Sequence, residues 1–536
     1  MRASPRIRWK ILPFFVAGLF IAPVVIVFFS ILGPYSGNWQ HLVDYVLLDY
    51  VSTSLYLVGG VTLLALSIGI STAWVVTNYN FTGKAIFEWA LILPLAIPTY
   101  ILAYTFTGLF DSYGDANNLI RKLFDLEQTY IFFPNVRNIP GAIIVFAFTL
   151  YPYVYLVTRN SFLNQSRSLK EAGRLLGLSQ FQVFYKIILP LARPAFIGGV
   201  MLVIMETLSD FGAVDHFAVQ TFTTGIFRTW YGLYDLDTAM QLSSLLLLVI
   251  TMFYFIERRM TKGIKHTTNN STFTTSAEIE IKGLKAFIPF LICFIPIFIG
   301  FVLPITQLIV WAIETNINIL NARFLTTSLN TIVLAVSSGI ICAFVALLIN
   351  FSVRINTGDL LSRVKSFLSI GYALPGLVLA VGIMKLFVYL DQSFVSEFGF
   401  VLTGSLVGLL LAYIIKAYAL ANSAIESGYT RISTSIDNSA QLLGSSGWRL
   451  LSKIHFPLMT TSFLTAVLLV ISEVVKELPA TLVLRPFNFE TLAVTTYMYA
   501  AEERMQQAAG PAIAIVLIGL IPLIFLTKMI RSSRRN

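Results

Sequence analysis

Long apolar runs recur along the whole chain of 536 residues and constrain its fold more than any other feature. A helix that crosses a lipid bilayer needs about 20 apolar residues, and twelve runs of that kind are present. They lie at 11–32, 53–77, 85–110, 139–158, 194–213, 239–256, 286–313, 326–350, 366–390, 400–425, 458–479 and 510–528. We therefore predict an all-α polytopic membrane protein with about twelve transmembrane helices.

The charged residues agree with this fold class and indicate an orientation. They make up 12% of the chain, about half the share typical of soluble domains, which excludes an ordinary soluble enzyme. If the N-terminus is cytoplasmic, 27 of the 37 Lys and Arg residues fall on the cytoplasmic side and seven on the outer side. Cytoplasmic loops of membrane proteins are enriched in Lys and Arg. We therefore expect both termini in the cytoplasm, and the net charge of +10 gives no reason to expect nucleic-acid binding.

The chain divides into two similar halves. A polar, basic segment at 257–285 is predicted to be a cytoplasmic linker between a first half, 1–256, and a second half, 286–536. Gly177 and Pro190 recur as Gly444 and Pro457, each 267 positions later. Six helices per half is an even number, so both halves enter the membrane in the same direction, as in a parallel repeat.

Two equivalent loops carry a recognisable motif. The first reads EAGRLLGLSQFQVFYKIILP and spans 171–190, and the second reads NSAQLLGSSGWRLLSKIHFP and spans 438–457. In each loop a glycine supplies the permissive backbone of a turn. A proline then begins the next helix, where its missing N–H costs little.

The first loop resembles the EAA loop of ABC-importer permeases, which forms a coupling helix that docks on a cytoplasmic ATPase. The resemblance implies the type I ABC importer permease fold, with coupling roles for Glu171, Ala172, Gly173, Gly177 and Pro190. The second loop departs from the motif at two positions and keeps it at three. The corresponding residues are Asn438, Ser439, Ala440, Gly444 and Pro457.

Two further segments are similar to the fused permeases of bacterial ferric-iron importers. They begin at Met205 (METLSDFGAVDHFAVQTF) and at Lys476 (KELPATLVLRPFNFE). The resemblance implies an inner-membrane permease without catalytic residues, driven by two copies of an ATPase and supplied by a periplasmic iron-binding protein. The chain lacks a G-x-x-x-x-G-K-[ST] phosphate loop, so we expect ATP and Mg to be bound by the partner and no cofactor by this chain.

Four acidic residues within predicted spans are candidates for the translocation pathway. Glu206 and Asp210 are four apart and recur as Glu473 and Glu477. Four residues is about one helical turn, so each pair is expected on one helix face. Carboxylates inside a membrane are costly and face protein or water, and hard cations prefer oxygen ligands. We expect transient cation contacts and no stable metal site, although pairing with Lys476 would be a purely structural alternative.

Other readings of the sequence stay open. Thiamine, polyamine and sulfate permeases share the expected fold, so the cargo does not follow from the residues alone. A secondary transporter also commonly has twelve spans, but the loop after the second span, NYNFTGK, lacks the acidic and arginine residues typical of such carriers. Lys385 and Lys416, also within spans, are expected to pair with acids or to reach the membrane interface.

Overall fold

The computed structural model describes residues 5–165, 167–261, 279–315, 321–356, 358–393 and 399–533. The structure is almost entirely helical in these ranges. The helices of the first half are α1 (Pro5–Phe29), α2 (Gly37–Tyr45), α3 (Leu47–Asn78), α4 (Lys84–Ala90), α5 (Thr99–Phe110), α6 (Asp115–Phe124), α7 (Ile139–Leu163), α8 (Arg167–Leu175), α9 (Gln180–Val183), α10 (Leu189–Leu191), α11 (Arg193–Ser209), α12 (Gly212–His216), α13 (Phe222–Phe227) and α14 (Leu236–Thr261).

The second half repeats this order with fewer short helices. Its members are α15 (Phe287–Ile297), α16 (Leu303–Glu314), α17 (Ala322–Ile355), α18 (Asp359–Leu368), α19 (Gly376–Ser393), α20 (Leu406–Tyr429), α21 (Thr434–Leu442), α22 (Trp448–Leu450), α23 (Phe456–Lys476), α24 (Pro479–Leu484), α25 (Leu492–Ala501) and α26 (Met505–Ser533). Two short parallel strands, β1 (Tyr79–Asn80) and β2 (Ile279–Glu280), pair Tyr79 with Ile279 and Asn80 with Glu280.

The predicted number of spans is confirmed. Within the described ranges, ten helices are long and apolar enough to cross a membrane, and the number is twelve when each of two bent helix pairs is counted as one span. The ten are Trp9–Leu32, Leu47–Asn78, Ile139–Leu163, Leu236–Met260, Gly283–Glu314, Ala322–Ile355, Gly376–Ser393, Leu406–Tyr429, Trp448–Lys476 and Met505–Pro522. The bent pairs are Lys84–Ala96 with Thr99–Phe124, at 91°, and Gln180–Leu191 with Arg193–Ser209, at 69°.

Two predicted spans are interrupted at equivalent prolines. The runs at 85–110 and 366–390 were each expected to be one helix, but both break just before Pro98 and Pro375. The preceding residues, Ile97 and Leu374, have extended backbones with ψ of 117° and 128°. Proline clashes with a helical residue immediately before it, so the continuous helix is wrong for these two runs. Only their second segments, beginning at Thr99 and Gly376, continue as α5 and α19.

The first helix of each half packs against the other half. α1 lies on α17, α18 and α19, and α15 lies on α3 and α4. Trp9 of α1 meets Phe351 at 4.9 Å between ring centroids, and Phe290 of α15 meets Phe87 at 5.2 Å. The halves therefore share one apolar core. The predicted boundary at 257–285 stays a prediction, since its segment 262–278 lies outside the described residues.

Contacts among connecting segments define one end of the helical bundle, here called the loop end. Strands β1 and β2 meet there, Gln180 Nε2 donates to the Tyr79 hydroxyl at 2.9 Å, and Trp9 stacks on Trp448 with ring centroids 6.3 Å apart. Both predicted coupling loops lie at this end. The opposite end is called the far end.

Candidate functional site

The two predicted coupling loops have the same backbone turn. In the first, Gly177 has a φ of +79°, its N–H donates to the Arg174 carbonyl at 2.9 Å, and the Leu178 N–H donates to the Gly173 carbonyl at 3.1 Å. This pair of bonds is the Schellman motif that ends helices at a left-handed residue. A glycine is favoured there because a side chain strains that conformation.

The second loop reproduces the motif 267 residues later. Gly444 has a φ of +81°, its N–H donates to the Gln441 carbonyl at 3.0 Å, and the Ser445 N–H donates to the Ala440 carbonyl at 2.9 Å. Both loops then pass through one π-helical turn, Phe184–Ile188 in the first and Leu451–His455 in the second. The loss of the motif's glutamate in the second loop has not changed its backbone.

The motif positions fall into buried and exposed groups. Gly173 faces the next segment, and a Cβ there would lie 2.8 Å from Ile187 Cδ1, so this position needs a small residue. Its equivalent, Ala440, is 3% exposed. The exposed positions are Glu171, Ala172, Gly177, Pro190, Asn438, Ser439, Gly444 and Pro457. Small residues thus pack the coupling helices inward and leave their other faces accessible.

Each turn also presents two leucines to solvent. Leu175 and Leu176 precede the first glycine, and Leu442 and Leu443 precede the second, and all four are between 81 and 89% exposed. Aliphatic side chains this exposed at equivalent positions are unusual for a surface without a partner. These leucines were not among the predicted coupling residues, although their repetition at an offset of 267 is visible in the sequence.

Aromatic rings attach the first loop to the bundle. Phe184, in the π-helical turn, lies 4.4 Å from Trp74 of α3 and 6.4 Å from Phe162 of α7, measured between ring centroids. Trp74 also meets Phe162 edge-on at 5.9 Å. Such pairs are directional as well as apolar, so they fix the loop relative to two long helices.

A largely buried ion pair attaches the second loop to the helical bundle. Asp437 of α21 accepts from Arg354 Nε at 2.6 Å, and its other oxygen lies 2.9 Å from His455 Nε2. Arg354 also donates to the carbonyl of Ile432 at 2.8 Å and stands over the Tyr429 ring. The arginine therefore joins the end of α17 to the start of the second loop.

The first members of the acidic pairs meet at the boundary between the halves. Glu206 Oε1 accepts from the Tyr372 hydroxyl of the second half at 3.0 Å. Glu473 lies 3.8 Å from Lys476 Nζ, which donates to the Leu95 carbonyl of the first half at 3.4 Å. Leu95 and Tyr372 occupy the equivalent helix breaks of the two halves. Each half thus brings one carboxylate near the proline break of the other.

The second members lie beyond the helices that were predicted to hold them. α11 ends at Ser209 and α23 at Lys476, so Asp210 and Glu477 have extended backbones, and the expected common helix face is wrong for them. Asp210 accepts the Ala213 N–H at 2.8 Å, and Glu477 accepts the Ala480 N–H at 3.1 Å. Both carboxylates therefore cap the helix that follows, which satisfies an otherwise unpaired N–H.

Lysines compensate part of the negative charge. Lys416 of α20 forms an ion pair with Glu477, and the charges of Glu206 and Glu473 also act on it. With every group ionised, four carboxylates and the two ammonium groups of Lys416 and Lys476 give this region a formal net charge of −2. Lys385 pairs with Asp237 at 2.7 Å. Lys385 and Lys416, which were expected to pair with acids or to reach the membrane interface, therefore both pair with acids.

Three tyrosines complete this region and were missed from the sequence. Tyr372 bonds Glu206, and the hydroxyl of Tyr153 lies close to both of them. Tyr100 lies close to Asp210 and Glu477, and its buried hydroxyl has no hydrogen-bond partner among the described residues. Polar atoms in such surroundings are usually paired. The only sequence signal was an aromatic residue beside each proline break.

A resident metal site is not apparent in the described residues. Nowhere in these ranges do three or more His, Cys, Asp or Glu side chains converge in a way that could hold a metal ion. The cluster of Glu206, Asp210, Glu473 and Glu477 with the two lysines and three tyrosines is called the acidic cluster below.

Comparison with known proteins agrees with the repeated architecture. A family model described as binding-protein-dependent transport system inner membrane component matches the chain twice, over residues 65–262 and 358–535. These two matches cover more than half of the chain, and each includes one of the loops with the left-handed glycine. The duplication predicted from the sequence is thereby confirmed.

Individual relatives differ in how much of the chain they match. The Fe(3+)-transport system permease protein FbpB 2 of Haemophilus influenzae is 26% identical over 495 residues, which is 90% of each protein. The sulfate transport system permease protein CysT of Escherichia coli is 32% identical over 146 residues, 27% of this chain and 50% of the relative. The molybdenum transport system permease protein ModB of Escherichia coli is 31% identical over 152 residues, 28% of this chain and 63% of the relative.

The family match, the duplicated membrane-spanning architecture and the twin loops agree with one another. The chain belongs to the family of binding-protein-dependent transport system inner membrane components, as a permease subunit of an ABC importer that carries both halves in one polypeptide and is not itself an enzyme.

Proposed function

We propose that this permease moves ferric iron across the bacterial inner membrane, from a periplasmic iron-binding protein to the cytoplasm. The observation that carries the proposal is the net charge of −2 in the acidic cluster, at the boundary between the two halves. Oxygen ligands of this kind suit a hard cation. The relative that is similar over 90% of both chains is named as an Fe(3+)-transport permease.

The same charge argues against an oxyanion as cargo. Sulfate and molybdate permeases are similar to this chain over about a quarter of its length. A dianion at the acidic cluster would meet four carboxylates and only two ammonium groups, and like charges in a region of low dielectric repel strongly. We therefore regard the sulfate and molybdate permeases as relatives that share the fold and carry a different cargo.

In the proposed orientation the loop end faces the cytoplasm, as does each terminus. The distribution of Lys and Arg supports this orientation. Each loop would dock one copy of a cytoplasmic ATPase, with Leu175 and Leu176 as the apolar contacts of the first and Leu442 and Leu443 those of the second. ATP and Mg would be bound by those partners.

In the proposed mechanism, closure of the two ATPases draws the loops together. The loops are rigidly attached to the helices through Phe184 in the first half and Arg354 in the second. Their movement would therefore be transmitted to α11 and α23, whose ends hold the acidic cluster, and the halves would alternate between two packed states. Transient contacts with carboxylates suit a permease, since tight chelation would prevent release.

The test is uptake of radioactive Fe³⁺ by cells or vesicles that contain the permease with its ATPase and binding protein. The double variant Glu206→Gln/Glu473→Gln should lose iron uptake while assembly and basal ATPase activity persist, since it removes two negative charges at nearly constant shape. The matched control is Glu503→Gln, at an exposed far-end side chain. The isolated complex should contain two ATPase chains per permease.

Two results would contradict the proposal. Normal iron uptake by the double variant would exclude a cargo role for these carboxylates. Transport of sulfate or molybdate by the wild-type complex, with iron excluded, would overturn the proposed cargo.

A further inference from the structure

The positive charges of the acidic cluster belong to one half only. Lys416 and Lys476 both lie in the second half, and the equivalent first-half residues at an offset of 267 are Thr149 and Ser209. The acidic positions are repeated in both halves, whereas the lysines are not. The fold that the two halves share therefore does not explain why the second half has these lysines.

Each lysine is held against a carboxylate of its own half. Lys416 Nζ is bonded to Glu477 Oε2, while Glu477 Oε1 caps α24 through the Ala480 N–H. Lys476 Nζ lies 3.8 Å from Glu473. Within the described part of the chain, the first-half carboxylates Glu206 and Asp210 form no ion pair within 4 Å, so both direct ion pairs of the cluster lie in the second half.

An unpartnered hydroxyl points independently to a ligand. Tyr100 is 5% exposed, its hydroxyl has no hydrogen-bond partner in the ranges that the structure describes, and the charges of Asp210 and Glu477 act on it. A buried polar atom left without a partner is costly. A phenol oxygen near two carboxylates is also a ready ligand for a hard cation.

We propose that Lys416 and Lys476 are resident cations that occupy the carboxylates of the acidic cluster between transport cycles and are displaced by the cargo. This inference rests on the proposed function, since the cargo is a hard trivalent cation that binds carboxylate and phenol oxygens. The ammonium groups cannot leave, because each is tethered to its helix. Their return to Glu473 and Glu477 then expels the cation and leaves the pathway ready for the next one.

The physical reason is the strong attraction that the carboxylates would have for the cation if the two lysines were absent. Without the lysines, the carboxylates would attract an ion of charge +3 strongly in a region of low dielectric, since Coulomb energy scales with the product of the charges. Two tethered ammonium groups halve the net negative charge and compete for the same oxygens. The lysines thereby weaken cation binding, so that the cation is released and not retained.

The experiment uses the complete permease–ATPase complex in detergent, with Fe³⁺ supplied as its nitrilotriacetate complex. The variant Lys476→Met keeps the length of the side chain and removes its charge. We expect it to retain iron at concentrations about tenfold or more below those that the wild type needs, because one competing charge is gone. Its iron uptake should fall by about the same factor, because release becomes slow.

Two variants serve as controls for charge and for general damage. Lys476→Arg keeps the charge and should retain and transport iron like the wild type. Lys385→Met removes a lysine of α19 that pairs with Asp237, outside the cluster, and should change neither measurement. If Lys476→Met does not assemble, Lys416→Met provides the same test at the second resident cation.

The outcomes separate this inference from the function on which it rests. If the wild-type complex transports iron but neither lysine variant retains more iron than the wild type, the inference alone is overturned. If the wild-type complex does not transport iron at all, the proposed cargo fails and the inference fails with it.

Discussion

The two predicted coupling loops have the same backbone conformation and are attached to the bundle by different contacts. Both turn at a glycine with positive φ and both continue through a π-helical turn at the same offset. The first is fixed by the aromatic ring of Phe184 and the second by the ion pair of Arg354 with Asp437. What the duplication has kept is a rigid link between loop and helix, while the chemistry of that link has changed.

Equivalent positions in the two attachments hold residues of different chemistry. Phe162 of the aromatic contact corresponds to Tyr429, and Ile188 corresponds to His455. His455 is fully buried between the Tyr429 hydroxyl at 3.3 Å and the Asp437 carboxylate. An apolar contact of the first half is therefore a polar network in the second, and the two differ in what their loss should cost.

The largest effect is expected from breaking the polar attachment. Arg354→Met leaves Asp437 without its arginine at a site where both side chains are at most 14% exposed. Removing one partner of a buried ion pair typically costs about 3–5 kcal/mol. Thermal unfolding in detergent should show this loss, and the purified complex should retain one ATPase chain in place of the two that we propose for the wild type.

The matched control is Arg363→Met, an exposed arginine of α18 at the same end of the bundle. A sharper test replaces the whole network with apolar side chains, in the triple variant Arg354→Met, Asp437→Leu and His455→Ile, of which the last introduces the first-half residue Ile188. Because the apolar replacement leaves no buried charge, this triple variant should recover much of the lost stability. Equal stability of Arg354→Met and Arg363→Met would show that the buried network does not hold the loop.

A smaller effect is expected from the aromatic attachment. Phe184→Leu introduces the residue that the second half has at the same position, Leu451, and removes the ring contacts with Trp74 and Phe162. Aromatic pairs contribute about 0.5–1.5 kcal/mol beyond their burial. The unfolding midpoint should fall modestly. Tyr185→Leu, at the exposed neighbouring position, should leave it unchanged, and a fall of equal size in that control would contradict a specific role for the Phe184 ring.

The sequence predicted the fold and the loops because these depend on local signals. Runs of apolar residues give the spans, and the repeated glycines give two turns that need a left-handed residue. The exposed face of each loop also follows from the motif. These features are encoded within a few consecutive residues, so one sequence suffices to find them.

Contacts between the halves could not be predicted in the same way. The sequence placed Asp210 and Glu477 on helix faces, whereas both helices end one residue earlier and the carboxylates cap the next helices. Tyr372 reaches Glu206 across 166 residues of sequence. Such partners depend on how proline breaks bend the spans and how the halves pack, and the linear pattern carries neither.

Each half contains an ion pair between equivalent positions, and the polarity of the pair is reversed from one half to the other. In the first half Arg159 Nη2 lies 3.1 Å from Glu88, and in the second half Lys365 Nζ lies 2.7 Å from Glu426. Counted from the equivalent prolines, Glu88 corresponds to Lys365, and counted from the equivalent glycines, Arg159 corresponds to Glu426. The acid and the base have exchanged helices while the contact between those helices has been kept.

The smallest effect is therefore expected from exchanging this pair in the first half. Glu88→Lys alone places two cations together at a partly exposed site and should cost about 1 kcal/mol. Adding Arg159→Glu recreates the arrangement of the second half and should restore most of that loss, which a double-mutant cycle on detergent-solubilised protein would measure. If the stability losses of the two single variants simply add in the double variant, the contact contributes nothing to stability in either polarity. Recovery would instead show that each half requires an attraction between these helices and is indifferent to which helix carries the acid.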